Sequence, residues 1–124
     1  GFTYNRNLGS IRMTNCASFY SAQRNFNFDG GSSVFVNNLS FESGDTDRIL
    51  GSTLNPDYNC WWDDQNGTIN PRGLKVSSAD FVSLTPGQFY YNADGSLNYG
   101  DFLRLVSGSD LIGAGTSGVN IGAR

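Results

Sequence analysis

The chain has 124 residues, enough for one domain with a core of its own, and carries sixteen Gly, 14% aromatic residues and only 15% charged ones. Its net charge of −3 and pI near 4.5 argue against nucleic acid or an anionic membrane surface as a partner, and no apolar run approaches the roughly 18 residues that cross a bilayer. The absence of His excludes Ser-His and Cys-His nucleophile pairs and imidazole-rich zinc sites. Many Gly, Asn and Ser with few charges predict short strands joined by tight turns, not helices.

In chain order, the first predicted strand is the apolar patch Phe2–Tyr4 in "GFTYN", whose pattern returns in "NFNFD" with Phe26 over Phe2 and Phe28 over Tyr4. The next carries Ile11, Met13 and Asn15. These match Val34, Val36 and Asn38 at one constant offset of 23 (34 − 11, 36 − 13, 38 − 15). A third line, "DYNCWWDD", sets Asn59 under Asn38 and Cys60 under Leu39 and Cys16, while Ile49 follows Phe26 at the same offset (49 − 26). A unit of two short strands recurring every 21–24 positions falls in the range of solenoid repeats. Leucine-rich repeats need a regular Leu framework that is missing, and helical repeats are longer and tolerate less Gly. The pattern predicts an all-β, right-handed parallel β-helix of about three coils, stacked about 4.8 Å apart.

Such a stack would place Phe2/Phe26 and Tyr4/Phe28 in its interior. It would also hold a column of Asn15, Asn38 and Asn59, because an amide can donate to one rung and accept from the next. Cys16 and Cys60 then lie two coils apart, about 10 Å, beyond the roughly 7 Å that a disulfide spans; both are expected to be free. Residues 1–70 are read as the coils and 71–124 as a further part of the same domain, where the period breaks. This second part, with turn signals Thr-Pro-Gly, Ala-Asp-Gly-Ser and Gly-Ala-Gly, is expected to be irregular and to cap the open end of the stack. Within it "YGDFLRLVSGS" reads as one or two helical turns starting at Asp101, with Phe102, Leu103 and Val106 on one face.

The basic residues Arg24 and Arg48 are 24 positions apart (48 − 24), each just ahead of an inward strand. They are predicted to stack as a column of cations suited to successive carboxylates of a polyanion; the competing reading is solubilising loop charge. Asp45, Asp47, Asp57, Asp63 and Asp64 read as solvated turn residues rather than a cation site. Of Trp61 and Trp62, one is expected in the core and the other over it.

Three stretches, "GFTYNRNLGSI", "DFVSL" and "ADGSLNYGDFLRLVSGSDLIGAG", in this order and spacing, resemble the C-terminal part of polysaccharide lyase family 9. That family contains pectate lyases built on a right-handed β-helix. The resemblance implies a parent protein that cleaves uronate-containing polysaccharide by β-elimination. There a Lys removes the proton α to the carboxylate, and Ca²⁺ held by aspartates neutralises that carboxylate. It also implies that this chain carries neither part. The sole lysine, Lys75, matches no catalytic motif, and the family's lysine and calcium-binding aspartates lie upstream of the "GFTYNRN" match. The expectation is therefore no catalytic residue and no metal site in this chain, calcium in the parent only, and Arg24 and Arg48 as substrate contacts. An acidic polysaccharide (pectin) is the implied partner, with secretion, the cell surface or the periplasm as its setting. The alternative is a non-catalytic carbohydrate-binding or assembly module. In either case an open first coil presenting Phe2 and Tyr4 predicts a homodimer or another chain covering it.

Overall fold

The computed structural model describes residues 1–3, 5–6, 9–28, 32–49, 53–54 (backbone only), 58–61 and 74–122. Among the described residues, eight short strands lie in the first half: β1 (Phe2–Thr3), β2 (Ser10–Thr14), β3 (Ala17–Phe19), β4 (Phe26–Phe28), β5 (Ser32–Val36), β6 (Leu39–Phe41), β7 (Arg48–Ile49) and β8 (Thr53–Leu54). β1 to β5 each pair in parallel with the strand three places further on. The result is three sheets, β1-β4-β7, β2-β5-β8 and β3-β6, the last extended by a parallel bridge from Leu39 to Cys60. This is a parallel β-helix.

Single left-handed residues bend the chain between sheets. Asn15 and Asn37 (φ 54° and 58°) turn it between the second and third sheets, and Tyr20 and Glu42 (φ 52° and 40°) turn it after the third. Asn tolerates this region because its short amide bonds locally. Both pairs have the same offset, 22 (37 − 15, 42 − 20), and β2 pairs with β5 at that offset too (32 − 10).

The register differs from the expected one by a residue. Ile11 faces Ser33 and Met13 faces Phe35, an offset of 22 where 23 was expected. A one-residue slip exchanges the two faces of a strand, so Phe35, fully buried, points inward in place of Val34 and Val36. Ile49 likewise sits opposite Phe28 and not Phe26. The Phe2/Phe26 pair is as expected, with ring centroids 5.3 Å apart, whereas Tyr4 lies outside the described residues.

The asparagine column is also rearranged. The Asn38 N–H and Nδ2 both donate to Asn59 Oδ1 (3.0 Å each), Asn38 Nδ2 also reaches the Met13 carbonyl (3.1 Å), and Asn59 Nδ2 donates to the Phe35 carbonyl (3.0 Å). Above Asn38 the equivalent position is Cys16, whose N–H donates to Asn38 Oδ1 (3.1 Å). Asn15 is exposed in the bend and takes no part.

Two separate apolar clusters follow from the alternation of side chains. Met13, Phe26, Phe28, Phe35, Ile49 and Trp61 fill the inside of the coils, where Phe26 and Trp61 meet edge-on at 5.1 Å. The residues of β3 and β6 do the reverse. Ser18 and Ser40 point in, while Leu39 and Phe41 point out and are buried beneath the C-terminal segment with Leu74, Val76, Phe81, Leu111 and Ile121. Residues 74–122 thus lie along the flank of the stack, against the outer face of the third sheet, and not over its end as expected.

No helix forms in "YGDFLRLVSGS". Gly100 and Leu103 adopt left-handed φ of 57° and 56°, and the stretch runs extended enough for Phe102 to bridge Ser83 and Leu105 to bridge Phe81. Between these bridges an antiparallel hairpin projects, β9 (Tyr90–Tyr91) and β10 (Leu97–Asn98).

Candidate functional site

The corner between β3 and β4 is built around a buried amide that the repeat pattern does not reveal. Asn25 Oδ1 accepts from Ser18 Oγ (3.2 Å) and the Ser21 N–H (3.4 Å), and its Nδ2 donates to Ser40 Oγ and the Phe41 carbonyl (3.0 Å each). The next coil follows this corner closely. The Gly44 and Asp45 N–H groups donate to the Ser21 and Gln23 carbonyls (2.9 and 2.8 Å), and a Cβ on Gly44 would collide with the Ala22 carbonyl oxygen.

The consequence is an ion pair. Arg24 Nη2 lies 2.5 Å from Asp45 Oδ2, with side chains 29% and 47% exposed. Arg48 stands elsewhere, in β7 opposite Asn27, so Arg24 and Arg48 do not stack. Their offset of 24 exceeds the offset of 21 (48 − 27) between paired positions in these two strands. The outward column of this sheet is Thr3, Asn27 and Arg48 in successive strands, and Arg24 enters it from the side.

A groove of about 310 Å³ opens here, lined by Gly1, Phe2, Thr3, Gln23, Arg24 and Asn27. Two of its polar atoms, Arg24 Nε and Asn27 Oδ1, are buried without a hydrogen-bond partner.

Among the described residues the acidic side chains do not come together as a cation site. Asp45 is held by Arg24, and Asp47 is buried with its Oδ1 accepting from the Phe26 N–H (2.9 Å), which corrects its expected place in a solvated turn. Asp57, Asp63 and Asp64 lie outside the described residues. Among the described residues no three His, Cys, Asp or Glu side chains come together, so this donor set does not fit calcium.

Lys75 is exposed at the start of the flank segment. Trp61 is in the interior core and Trp62 lies outside the described residues. Cys16 and Cys60 are both free thiols. Cys60 points into the outer cluster, and burial, followed by the negative charges of Asp110 and Asp80, pushes its thiol up to about 12. Among the described residues no helix is long and apolar enough to cross a membrane.

Parallel coils with a stacked asparagine pair and outward polar columns define the β-helix class to which polysaccharide-degrading enzymes contribute. No family model matches the chain. Its sequence is 52% identical over all 124 residues to pectate lyase L of Paenibacillus polymyxa (strain SC2), of which it spans 27%. Its fold matches the crystal structure of pectate lyase Pel9A with a TM-score of 0.71 and 25% identity, over the whole of this chain and 32% of that one. The chain is thus similar along its whole length to part of two pectate lyases, spanning about a third or less of each, which supports its reading as the C-terminal part of a polysaccharide lyase family 9 protein.

Proposed function

We infer that this chain is the C-terminal part of a pectate lyase-like protein acting on pectic, uronate-containing polysaccharide, and that its contribution is to hold substrate. The observation that carries this reading is the identity with pectate lyase L, which extends along the whole chain. In the parent, cleavage is the calcium-dependent β-elimination of the family, on a right-handed β-helix. These residues supply neither its base nor its calcium ligands. Residues 1–70 form about three of its coils and 71–124 complete the same domain.

The contacts proposed for substrate are Arg24 and Arg48, flanking Thr3 and Asn27. A guanidinium binds a carboxylate through two parallel N–H donors, and the partly buried setting of Arg24 raises the worth of that bond. A uronate in the groove competes with Asp45 for Arg24. Arg24→Ala and Arg48→Ala are therefore expected to weaken polygalacturonate binding about tenfold each, and Asp45→Asn to strengthen it. Retardation in polygalacturonate-containing gels measures all three, and unchanged mobility of both arginine variants removes these residues from the site. The same chain, given polygalacturonate and Ca²⁺, should release no unsaturated product detectable by ultraviolet absorbance. Turnover by this chain alone would overturn the assignment of the chemistry to other residues.

A non-catalytic carbohydrate-binding or assembly module is the second reading, supported by the groove beside Arg24 and Asn27. Both readings imply work on pectin outside the cell, by secretion or at the surface. They separate on whether the protein that carries these residues turns over polygalacturonate.

A further inference from the structure

The hairpin carries an apolar face that the rest of the described structure covers only in part. Pairing sets Leu97 beside Tyr91 and Asn98 beside Tyr90. Side chains alternate across a strand, so Phe89, Tyr91, Leu97 and Tyr99 share one face while Tyr90 and Asn98 share the other. Phe89 and Tyr99 touch at 5.3 Å. Yet Tyr91 is 75% exposed, and Phe89 and Leu97 are exposed as well. The ribbon is held in shape by its own polar residues: the Ser96 N–H and Oγ donate to Asp94 Oδ1 (2.9 and 2.6 Å), and Asn98 Nδ2 donates to Asn92 Oδ1 (3.0 Å).

This face continues an interface already present. Along the flank, Phe81 packs on Phe41 of β6 (5.4 Å), Phe102 packs on Phe19 of β3 (5.4 Å), and Phe89 packs on Phe102 (5.7 Å). The rings thus step from the second coil to the first, against the chain direction, and on to the hairpin. At that same edge the interior column ends at Phe2, stacked on Phe26 and 37% exposed.

We propose that the Phe89/Tyr91/Leu97/Tyr99 face of the hairpin is the seat for the β-helix rung that precedes β1–β3 in a longer chain of this family. These residues span 27% of the pectate lyase L relative and 32% of Pel9A, so proteins of those lengths carry further chain that can be seated there. The side chain of that rung at the position equivalent to Phe19 would face the hairpin as Phe41 of β6 and Phe19 of β3 face the flank segment. One occupant then covers both the outer face of the hairpin and the interior face of Phe2.

Nitration of tyrosines, mapped by mass spectrometry, tests this because Tyr90 is an internal control on the opposite face. It is read in the 124-residue chain and in a longer chain in which the same residues follow the upstream residues of the P. polymyxa relative. In the longer chain, Tyr91 is expected to react about tenfold more slowly relative to Tyr90 than in the shorter one. The Tyr91:Tyr90 ratio in the longer chain decides alone if the shorter one does not fold. Equal reactivity of the two in the longer chain overturns the proposal. Protection of Tyr91 there only on adding pectic oligosaccharide overturns it in favour of a sugar platform. Protection that grows with concentration in the shorter chain, with no effect of the upstream coils, overturns it in favour of a second copy.

Discussion

Asn38 links three successive turns of the stack through one amide, since it bonds the Cys16 N–H, the Met13 carbonyl and Asn59. Asn38→Ala leaves these groups buried and unpaired, and a loss on the order of 2–4 kcal/mol is expected in denaturant unfolding. Asn38→Asp keeps the acceptor but sets a carboxylate against the Met13 carbonyl, and should cost more. Cys60 gives a pH prediction of definite sign. Its thiol keeps a proton up to about 12 in the fold against an ordinary 9.0. The folded state therefore binds more protons above that ordinary value, and stability falls as pH rises through 9. Melting curves at rising pH should show this slope in the wild type and a shallower one in Cys60→Ala; identical slopes would contradict it. At this scale the sequence was partly legible. Asn38 and Asn59 stood out because they recur, while Asn25, fully buried, does not recur, and only its contacts with Ser18 and Ser40 reveal it.

Among the elements, the strands were legible and their register was not. Aligning apolar residues put Val34 over Ile11, but β5 reads Ser-Ser-Val-Phe-Val, and either alternate set is apolar enough to be chosen. Packing settles it: Phe35 fills the interior against Phe26, Phe28 and Trp61, while Val34 stays half-buried. The same uncertainty displaced the site, because a period of 24 stacks Arg48 on Arg24, whereas the pairing of β4 with β7 puts it opposite Asn27. The corner that holds Arg24 depends on Gly44. Gly44→Ala forces a Cβ against the Ala22 carbonyl oxygen and must part the two corners, at a cost of about 1–3 kcal/mol. It should also loosen the Arg24–Asp45 pair and so alter polygalacturonate binding. A variant as stable as the wild type would show that the two corners are not tightly apposed.

For the molecule as a whole, the division into an inner and an outer cluster makes an additivity test possible. Phe26→Ala empties the inside of the coils and Phe81→Ala uncovers Phe41 on the flank. Each is expected to cost about 3–5 kcal/mol. Measured by denaturant unfolding, the double variant should lose the sum of the two within about 0.5 kcal/mol, since the sites share no partner. A shortfall larger than that would mean the clusters act as one. The β-helix itself was readable from the repeat, but the outer cluster was not, because its partners in residues 74–122 carry no period. That flank arrangement has a consequence for how the protein is made. Phe19 meets Phe102, 83 positions later (102 − 19), and Asn37 meets Thr116 across 79. A ribosome delivers the coils well before the residues that cover them, so Leu39 and Phe41 wait uncovered until residues 74–122 have been made. Contacts this distant in sequence form slowly, and the interval before they form is when the nascent protein is most open to aggregation and proteolysis.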